Sequence, residues 1–311
     1  MPTAMYVTTA RTPHPAGRSQ VRAESATKPL SLRLATHTVA RETRAFSHHD
    51  HDYFTDLFRD FGLCLDQGAF DAGRTSFTDL VAELLPRLGG YEHGFDLALL
   101  ASATSDAEPG WPMCFLTQAV RDPGLVLGIA DQGVLGPFTA LRLATDRAAA
   151  GQATRVLLFV LDQHSVLHGE PVPERLRAQE SAGAVVVLEA KGDPGRVSAP
   201  VVRAVEPAEV PQQWDAMVAA AESVPGAAGP LTTVVGPELA ARTAGHPQAV
   251  ELLAAPLGLP CSGIWALLAE RLPTWRRAGR RVLLADHDPD LGRLAGCVID
   301  IEPESGEEPG V

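Results

Sequence analysis

Residues 125–162 are LVLGIADQGVLGPFTALRLATDRAAAGQATRVLLFVLD and contain three patterns in succession. Residues 125–130 are a short apolar run, residues 136–150 carry Ala and Leu at helical spacing, and residues 155–161 are a second apolar run. A strand, a helix and a strand with tight connections predict parallel strands with a covering helix. Because neither apolar run alternates with polar residues, we expect both strands to be buried on both faces.

The segments on either side continue this alternation. They are amphipathic helix patterns over 53–65, 76–88 and 113–120 and apolar strand patterns over 95–103 and 182–189. We therefore predict that residues 51–190 form an N-terminal half, a largely parallel sheet with helices on both faces.

The same patterns recur after residue 230. They are strands over 231–235, 281–284 and 296–301 and helices over 238–244 and 264–278. The recurrence predicts a C-terminal half over 231–311, connected to the first by a loop-rich joint over 191–230 with one helix near 213–223. Residues 1–50 are polar with weak periodicity, so we expect an irregular N-terminal segment with one candidate strand over 5–9. The final residues, GEEPGV, are expected to fray.

The composition excludes several classes of protein. Of the 311 residues, 45 % are hydrophobic and 21 % are charged, a balance typical of a folded chain. Because 26 basic residues oppose 38 acidic ones and the net charge is −12, we expect neither nucleic acid nor a membrane as a partner. The scattered cysteines have no CxxC spacing and indicate reduced, mostly buried thiols; they are Cys64, Cys114, Cys261 and Cys297. With no membrane-spanning stretch and no signal peptide, we predict a cytoplasmic protein.

Five segments in order resemble the thiolase-type condensing enzymes, and within them the ketoacyl-ACP synthase III group. They are DLALLASATSD (96–106), GPFTAL (136–141), RVLLFVLD (155–162), SAGAVVVLE (181–189) and RVLLADHD (281–288). The resemblance extends over about residues 95–301. It implies an α/β, thiolase-like fold in which two pseudo-repeated halves form an αβαβα five-layer sandwich.

The resemblance also implies where catalytic residues would lie. The family has a Cys at a helix N-terminus, a His in a Pro-His pair and an Asn in a Gly-Asn turn, and these positions fall on Val134, Pro237 and Leu259. None of these side chains can be acylated or can exchange a proton. Shifting the alignment does not restore the missing groups, because residues 128–138 contain no Cys, Ser or Thr and residues 229–240 contain no His. Gln132 invites comparison with Gln-bearing ketosynthase variants, but it lies two residues too early.

We therefore expect a catalytically inactive ketosynthase-like subunit, similar to chain-length factors and to the non-catalytic alkylquinolone synthase subunit. It would pair with an active ketosynthase III-like paralogue, as a heterodimer or heterotetramer, and would shape that partner's acyl pocket. The setting would be biosynthesis of a polyketide or fatty-acyl-derived secondary metabolite. The chain would meet an acyl chain or acyl carrier protein through the partner. The expected contact segments are residues 111–120 and 151–162.

Two alternatives remain open. An acyltransferase, decarboxylase or hydrolase could use Cys114, or His164 with an acidic neighbour, on the same scaffold. A homodimeric protein that binds acyl chains is the second alternative. We favour structural roles for the residues concerned, with Cys114 and Cys261 as buried packing thiols and His164 at a surface or subunit interface.

Two polar clusters also have a chemical and a structural interpretation. Residues 47–52, SHHDHD, carry enough donors for zinc or nickel, including the segment His48–His51. We predict a polar loop there, because no distant ligand is identifiable. Residues 286–292, DHDPDLG, suggest a hydrolase cluster through Asp286, His287 and Asp288, but we predict that this segment is a turn between two strands. No GxGxxG or Walker motif occurs, and we expect no cofactor and no resident metal.

Overall fold

The structure of the chain is a computed structural model. It describes residues 29–303 except 42, 90–93, 111, 121–123, 191–195, 225–228 and 245–250. The candidate strand over 5–9, Trp111 and the C-terminal GEEPGV lie outside the described residues. None of the helices in the described part combines the length and the hydropathy that crossing a bilayer requires.

The N-terminal half is built on one mixed sheet. Its described strands are β1 (Ser31–Val39), β2 (Leu97–Ser102), β3 (Leu125–Ile129), β4 (Arg155–Asp162) and β5 (Ala182–Glu189). Their order is β1-β5-β4-β2-β3. Strand β2 is parallel to both of its neighbours, whereas β5 is antiparallel to β4 and to β1.

The C-terminal half repeats this arrangement. Its described strands are β6 (Val201–Ala204), β7 (Leu231–Val235), β8 (Glu251–Ala254), β9 (Arg280–Asp288) and β10 (Arg293–Ile301). Their order is β6-β10-β9-β7-β8, with β7 parallel to β8 and β9 and with β10 antiparallel to β9 and β6. The strand at each place in the second sheet has the same relative direction as its counterpart in the first. The predicted pseudo-repeat is therefore confirmed.

Helices separate and cover the two sheets. Those described are α1 (His48–Asp60), α2 (Gln67–Asp71), α3 (Phe77–Leu84), α4 (Pro112–Ala119), α5 (Gly136–Ala149), α6 (Val210–Ser223), α7 (Pro237–Thr243) and α8 (Gly263–Ala278). The central apolar core contains α5, α8 and residues of both sheets. A second core joins α3 and α4 to the outer face of the first sheet, and a third joins α6 and α7 to the second sheet. The layers are therefore αβαβα, as predicted.

Strand β2 shows why an apolar run without alternation is needed here. Its residues Leu97, Leu99 and Ala101 belong to the central core, while Ala98 and Leu100 belong to the core under α3 and α4. Successive side chains of a strand point to opposite faces, so a strand covered on both sides must be apolar at every position.

Several predictions about the first sheet are wrong. Ser31–Val39 is not irregular but is a nine-residue strand paired with β5, and its partly polar sequence fits its place at the sheet edge. Strand β3 was predicted to be buried on both faces. It is the other edge of the sheet and is only half-buried, because in the described residues no strand pairs with its outer side. The sheet is mixed rather than largely parallel. The predicted contact segment 151–162 contains β4, a buried strand with a neighbour on each side.

The prediction of a loop-rich joint over 191–230 is also wrong in part. Val201–Ala204 forms β6 and pairs with β10, and Val210–Ser223 forms α6, which packs on the second sheet. Residues 201–223 therefore belong to the C-terminal half. The four-residue edge strand β8 was not predicted, because so short a segment has no clear periodicity.

The predicted polar loop over 47–52 is the beginning of a helix. Ser47 is the N-cap of α1 and accepts a hydrogen bond from the Asp50 backbone N–H, while the Asp50 carboxylate accepts one from the Ser47 N–H. This reciprocal pair is a capping box, which satisfies two backbone donors at the helix start. The helix therefore begins at His48, five residues before the predicted boundary.

Candidate functional site

The beginnings of α5 and α8 lie where strands of both sheets end. Strand β4 ends at Asp162, whose carboxylate bonds to the segment before α8, and β9 ends at Asp288, whose carboxylate bonds to the turn before α5. In sheets with parallel strands, ligand sites lie at this carboxyl-end edge. Val134 and Leu259, at two of the positions that the resemblance assigns to catalytic residues, lie next to these contacts, and Pro237, at the third, follows Gly236, which packs against Asp286.

Val134 lies in the short 3-10 turn Gly133–Leu135 that leads into α5. Its side chain is apolar and 7 % exposed. Its backbone N–H donates to Oδ2 of Asp288 at 3.3 Å. The carboxylate lies so close that a Cβ on Gly133 would collide with it. A carboxylate therefore occupies the anion-favouring position at the start of this helix.

The carboxylate of Asp288 is held from several sides. Its Oδ1 accepts from the backbone N–H groups of Asp290 and Leu291 at 3.0 and 3.1 Å. Arg175 lies 3.7 Å from the same oxygen and also pairs with Asp290. Asp288 is 1 % exposed, so these partners supply the hydrogen bonds that water cannot.

Pro237 is the first residue of α7, and Gly236 before it packs against Asp286. A Cβ on Gly236 would collide with both carboxylate oxygens of Asp286, so glycine is needed for this close approach. Asp286 and Asp288 are two residues apart on β9 and therefore point to the same face of the sheet. Two carboxyl groups from one strand thus lie beside the family's nucleophile and histidine positions.

Leu259 is 9 % exposed and lies two residues before the buried Cys261. The Sγ of Cys261 is 3.6 Å from the carbonyl oxygen of Gly133. The backbone N–H groups of Cys261 and Ser262 donate to the Asp162 carboxylate, as does the Ser262 hydroxyl, at 2.7 to 3.1 Å. Cys261 is buried, as predicted for a packing thiol.

Burial dominates the electrostatics of this site. It raises the pKa of Asp162 to about 6, against the opposing effect of the hydrogen bonds from Ser262 and Cys261. It also raises the pKa of Asp286 well above its usual range, and the neighbouring Asp288 adds to that effect. The pKa of the Cys261 thiol is raised by burial and then by the surrounding carboxylates, so the thiol form is favoured.

His287 is the histidine nearest in sequence to this site, but it faces away from it. Strand alternation directs it to the side opposite Asp286 and Asp288. There burial, followed by the charge of Arg242, lowers the pKa of the imidazole. The imidazole therefore stays neutral on the outer face of the sheet and cannot reach the Val134 turn.

The turn predicted over residues 286–292 is confirmed for 289–292 but is wrong for Asp286–Asp288, because these three residues belong to β9 and are buried. Only residues 289–292 form the turn to β10. The sequence signal for the site was present in the three polar residues that follow the apolar run RVLLA. The role of these polar residues depends on contacts with residues about 50 to 150 positions earlier in the chain, and local sequence does not show such contacts.

A separate cavity of about 840 Å³, the lateral cavity, lies between α1 and the ends of β2, β3 and β4. None of Val134, Pro237, Leu259 and Asp288 lines it, although Gln132 and Thr139 do. The alternative nucleophile and base do not line it either. Cys114 is exposed on α4, contrary to the prediction of a buried thiol, and His164 is exposed after β4 as predicted.

His48, His51 and Asp52 approach one another on the first turns of α1, with ligand atoms within 4.8 Å. The side chain of His48 is 90 % exposed and that of Asp52 is 63 % exposed. In the described residues no further ligand joins them. Exposed donors on a single helix make a weak site, because they leave most of the coordination shell to water.

No family model matches this chain, and no curated protein sequence matches it. Solved structures do match over most of its length. A 3-oxoacyl-(acyl carrier protein) synthase III from Pseudomonas aeruginosa PAO1 is 15 % identical, with a TM-score of 0.58, over 89 % of this chain and 99 % of that protein. The tetronic acid condensing enzyme AbyA1 is 14 % identical, with a TM-score of 0.61, over 87 % and 99 %. The acyltransferase ChlB3 is 16 % identical, with a TM-score of 0.58, over 88 % and 98 %.

These structures share the two stacked sheets and the central helices, and their low identities limit the conclusion to architecture. The predicted fold class is confirmed by this agreement together with the repeated strand order. The chain has the thiolase-like fold of the ketoacyl-ACP synthase III enzymes.

Proposed function

We propose that this chain is a catalytically inactive ketosynthase-like subunit that pairs with an active ketosynthase III-type partner and shapes its acyl pocket. The product would be a polyketide or fatty-acyl-derived metabolite. The structural similarity to the tetronic acid condensing enzyme AbyA1 supports this setting. The observation that carries the proposal is the Asp288 carboxylate bound to the backbone N–H of Val134.

That contact opposes condensation chemistry for an electrostatic reason. Acyl transfer to a thiol and carbon–carbon bond formation both develop negative charge at the reacting atoms, which an enzyme must stabilise. Here the backbone donor is already bound to the Asp288 carboxylate, and burial in this region raises the pKa values of Asp162 and Asp286, which shows that the region disfavours further negative charge. The site therefore lacks a nucleophile at the family position and also disfavours the charge that a nucleophile would generate.

The exposed edge of β3 supports the proposed pairing of this chain with a partner subunit. Leu125 donates its backbone N–H to the Asp96 carbonyl at 3.0 Å, so the alternate residues Val126 and Gly128 direct theirs to the other side. In the described residues that side has no strand partner. An unpaired, partly apolar edge favours addition of a strand from another chain.

The test is co-expression with a ketosynthase III-type chain from the same source that retains its Cys, His and Asn. We expect the two chains to co-purify in equal amounts and the partner's condensation activity to depend on this subunit. Size-exclusion chromatography with light scattering gives the stoichiometry, and product analysis gives the acyl length. A stable homodimer that turns over acyl thioesters without any partner would contradict the proposal.

A second test addresses the inert site directly. We expect Val134→Cys, made in a Cys64→Ala and Cys114→Ala background, to remain unacylated by acetyl-CoA and to form no product with malonyl-CoA. The introduced thiol would adjoin the Asp288 carboxylate, and no imidazole among the described residues faces that turn. Intact-protein mass spectrometry measures acylation. Acetylation followed by condensation in this variant would show that the site is competent.

A further inference from the structure

The lateral cavity is a second site, separate from the filled one at Val134. One wall is α1, and the other walls are α4 and the segments that follow β2, β3 and β4. Its volume of about 840 Å³ falls within the range of cavities that enclose small organic ligands. Its lining shares no residue with the carboxylate cluster on β9.

The walls of the lateral cavity are largely apolar, with aromatic rings on one side. Tyr53, Phe54 and Phe58 come from α1, and Phe77 comes from the start of α3. The capping box at Ser47 fixes the beginning of α1, and Phe54 is itself 4 % exposed. The cavity therefore offers hydrocarbon contact on a surface that is formed before any ligand arrives.

Acidic groups predominate among the titratable side chains that line the lateral cavity, which also include the imidazole of His168. Asp106, Glu108 and Asp131 line it, and no Lys or Arg occurs among the described residues of its lining. Glu108 is neutralised from outside by Arg44 and Arg74, at 3.2 and 3.3 Å. No such ion pair is found for Asp106 in the described part of the chain.

Asp106 is also fixed in position. Its Oδ1 accepts from the backbone N–H of Phe77 at 3.1 Å and from Nε2 of Gln163 at 3.4 Å. Gln163 is fully buried and bonds in turn to the Thr75 carbonyl and the Ala107 N–H. Burial raises the pKa of Asp106 to about 7, which is the behaviour of a carboxyl group without a cationic neighbour.

A ligand that completes this environment needs an apolar body and a positive head. An ammonium group would compensate Asp106 and could lie against the faces of the aromatic rings. A fatty carboxylate or a phosphate would bring a further negative charge into a region that already has three carboxyl groups. We propose that the lateral cavity binds an amphiphilic amine, with its ammonium group near Asp106 and its hydrocarbon against α1.

The test compares three probes of equal chain length on the full, unmodified chain: octylamine, octanol and octanoate. Isothermal titration calorimetry at about pH 8, where Asp106 is largely ionised and an alkylamine is still protonated, measures the dissociation constants. We expect octylamine to bind roughly tenfold more tightly than octanol, and octanoate to bind most weakly. Octanoate binding as tightly as octylamine, or no binding of octylamine, would overturn the proposal.

A matched pair of variants tests whether Asp106 is the charge that binds the ammonium group. Asp106→Asn is expected to weaken octylamine binding roughly tenfold and to change octanol binding less than about twofold. Asp56→Asn removes the same charge from the exposed face of α1, outside the cavity lining, and is expected to change neither. Equal effects of the two variants on octylamine would contradict the assignment. The three-probe comparison needs no variant and does not depend on the inactivity of the Val134 site. It is made on the chain without its partner, because Gly128 and Ile129 of the proposed partner edge also line the cavity.

Discussion

Asp288 places a side-chain carboxyl group at the start of α5. A helix N-terminus favours an anion, and in an acyl-transferring enzyme that anion would form only during the reaction. In this chain Asp288 lies within hydrogen-bonding distance of the Val134 N–H without any ligand, and its carboxyl group is held by two further backbone donors and by Arg175. If Val134 stands at the nucleophile position, as the resemblance implies, the apolar side chain and the placement of this carboxyl group act in the same direction.

Because several buried groups depend on this carboxylate, we expect Asp288→Ala to lower the free energy of unfolding by ~2–4 kcal/mol. Asp290→Ala removes the exposed partner of the same arginine and is expected to cost less than ~1 kcal/mol. Urea denaturation followed by circular dichroism measures both. Equal losses would mean that Asp288 is not the group that holds this turn.

Asp106 should make stability depend on pH. Its folded-state pKa of about 7 lies above the ordinary value of 3.8, so its contribution to the unfolding free energy falls as pH rises from about 4 to about 7. We expect Asp106→Asn to match the unmodified chain near pH 4 and to be more stable by ~2–4 kcal/mol near pH 8. Urea denaturation at both pH values measures the difference, with Asp56→Asn as the control. A difference that does not change with pH would contradict the assignment.

Among the elements, α1 has the most direct connection to a candidate ligand site. It begins at a capping box, it supplies the aromatic wall of the lateral cavity, and its Asp50 is held by the buried Arg74 at 2.9 Å. A helix of 13 residues is marginal on its own and depends on such contacts. The position of the cavity wall therefore depends on the first turn of this helix.

We expect Ser47→Ala to lower the free energy of unfolding by about 1 kcal/mol, because the N-cap acceptor is lost. Ser223→Ala is the matched control, since Ser223 lies exposed in the last turn of α6 and bonds only within that helix in the described residues. Thermal unfolding followed by circular dichroism compares the two. A larger loss for Ser223→Ala would show that the cap contributes little.

In the whole molecule, two sheets of identical strand order present two equivalent edges, β3 and β8. Strand β3 carries Leu125, Leu127 and Ile129, which are half-buried and pack toward the central core. Strand β8 has four residues and begins with the exposed Glu251. The longer, more apolar edge is the one we assign to the partner.

The edge assignment is tested by two substitutions at one residue. Gly128→Pro removes an outward N–H that none of the described strands accepts, whereas Gly128→Ala retains it. We expect Gly128→Pro to abolish co-purification with the ketosynthase III-type partner and Gly128→Ala to preserve it. Circular dichroism is the control and should show that both variants are folded. Retention of the partner by the proline variant would place the interface elsewhere.

Local patterns predicted much of this architecture. The apolar runs of β2, β4 and β5 and the helical spacing of α5 depend on neighbouring residues only, so their periodicity is visible in the sequence. The weakly patterned strands were missed, namely β1, β6 and β8. They lie at sheet edges, where half of the backbone pairing and much of the burial are absent, and their state depends on distant partners.

The sequence by itself determined the stacking of two alike halves, because burial on both faces imposes apolar runs at regular intervals. Asp162, Asp286 and Asp288 are visible in the sequence, but their proximity to one another in the fold is not. Only the tertiary structure decided that these carboxyl groups converge on the starts of α5, α7 and α8, and that His287 faces away from them. The physical reason is that such contacts join residues far apart in the chain, and no local pattern encodes which of them will share one buried space.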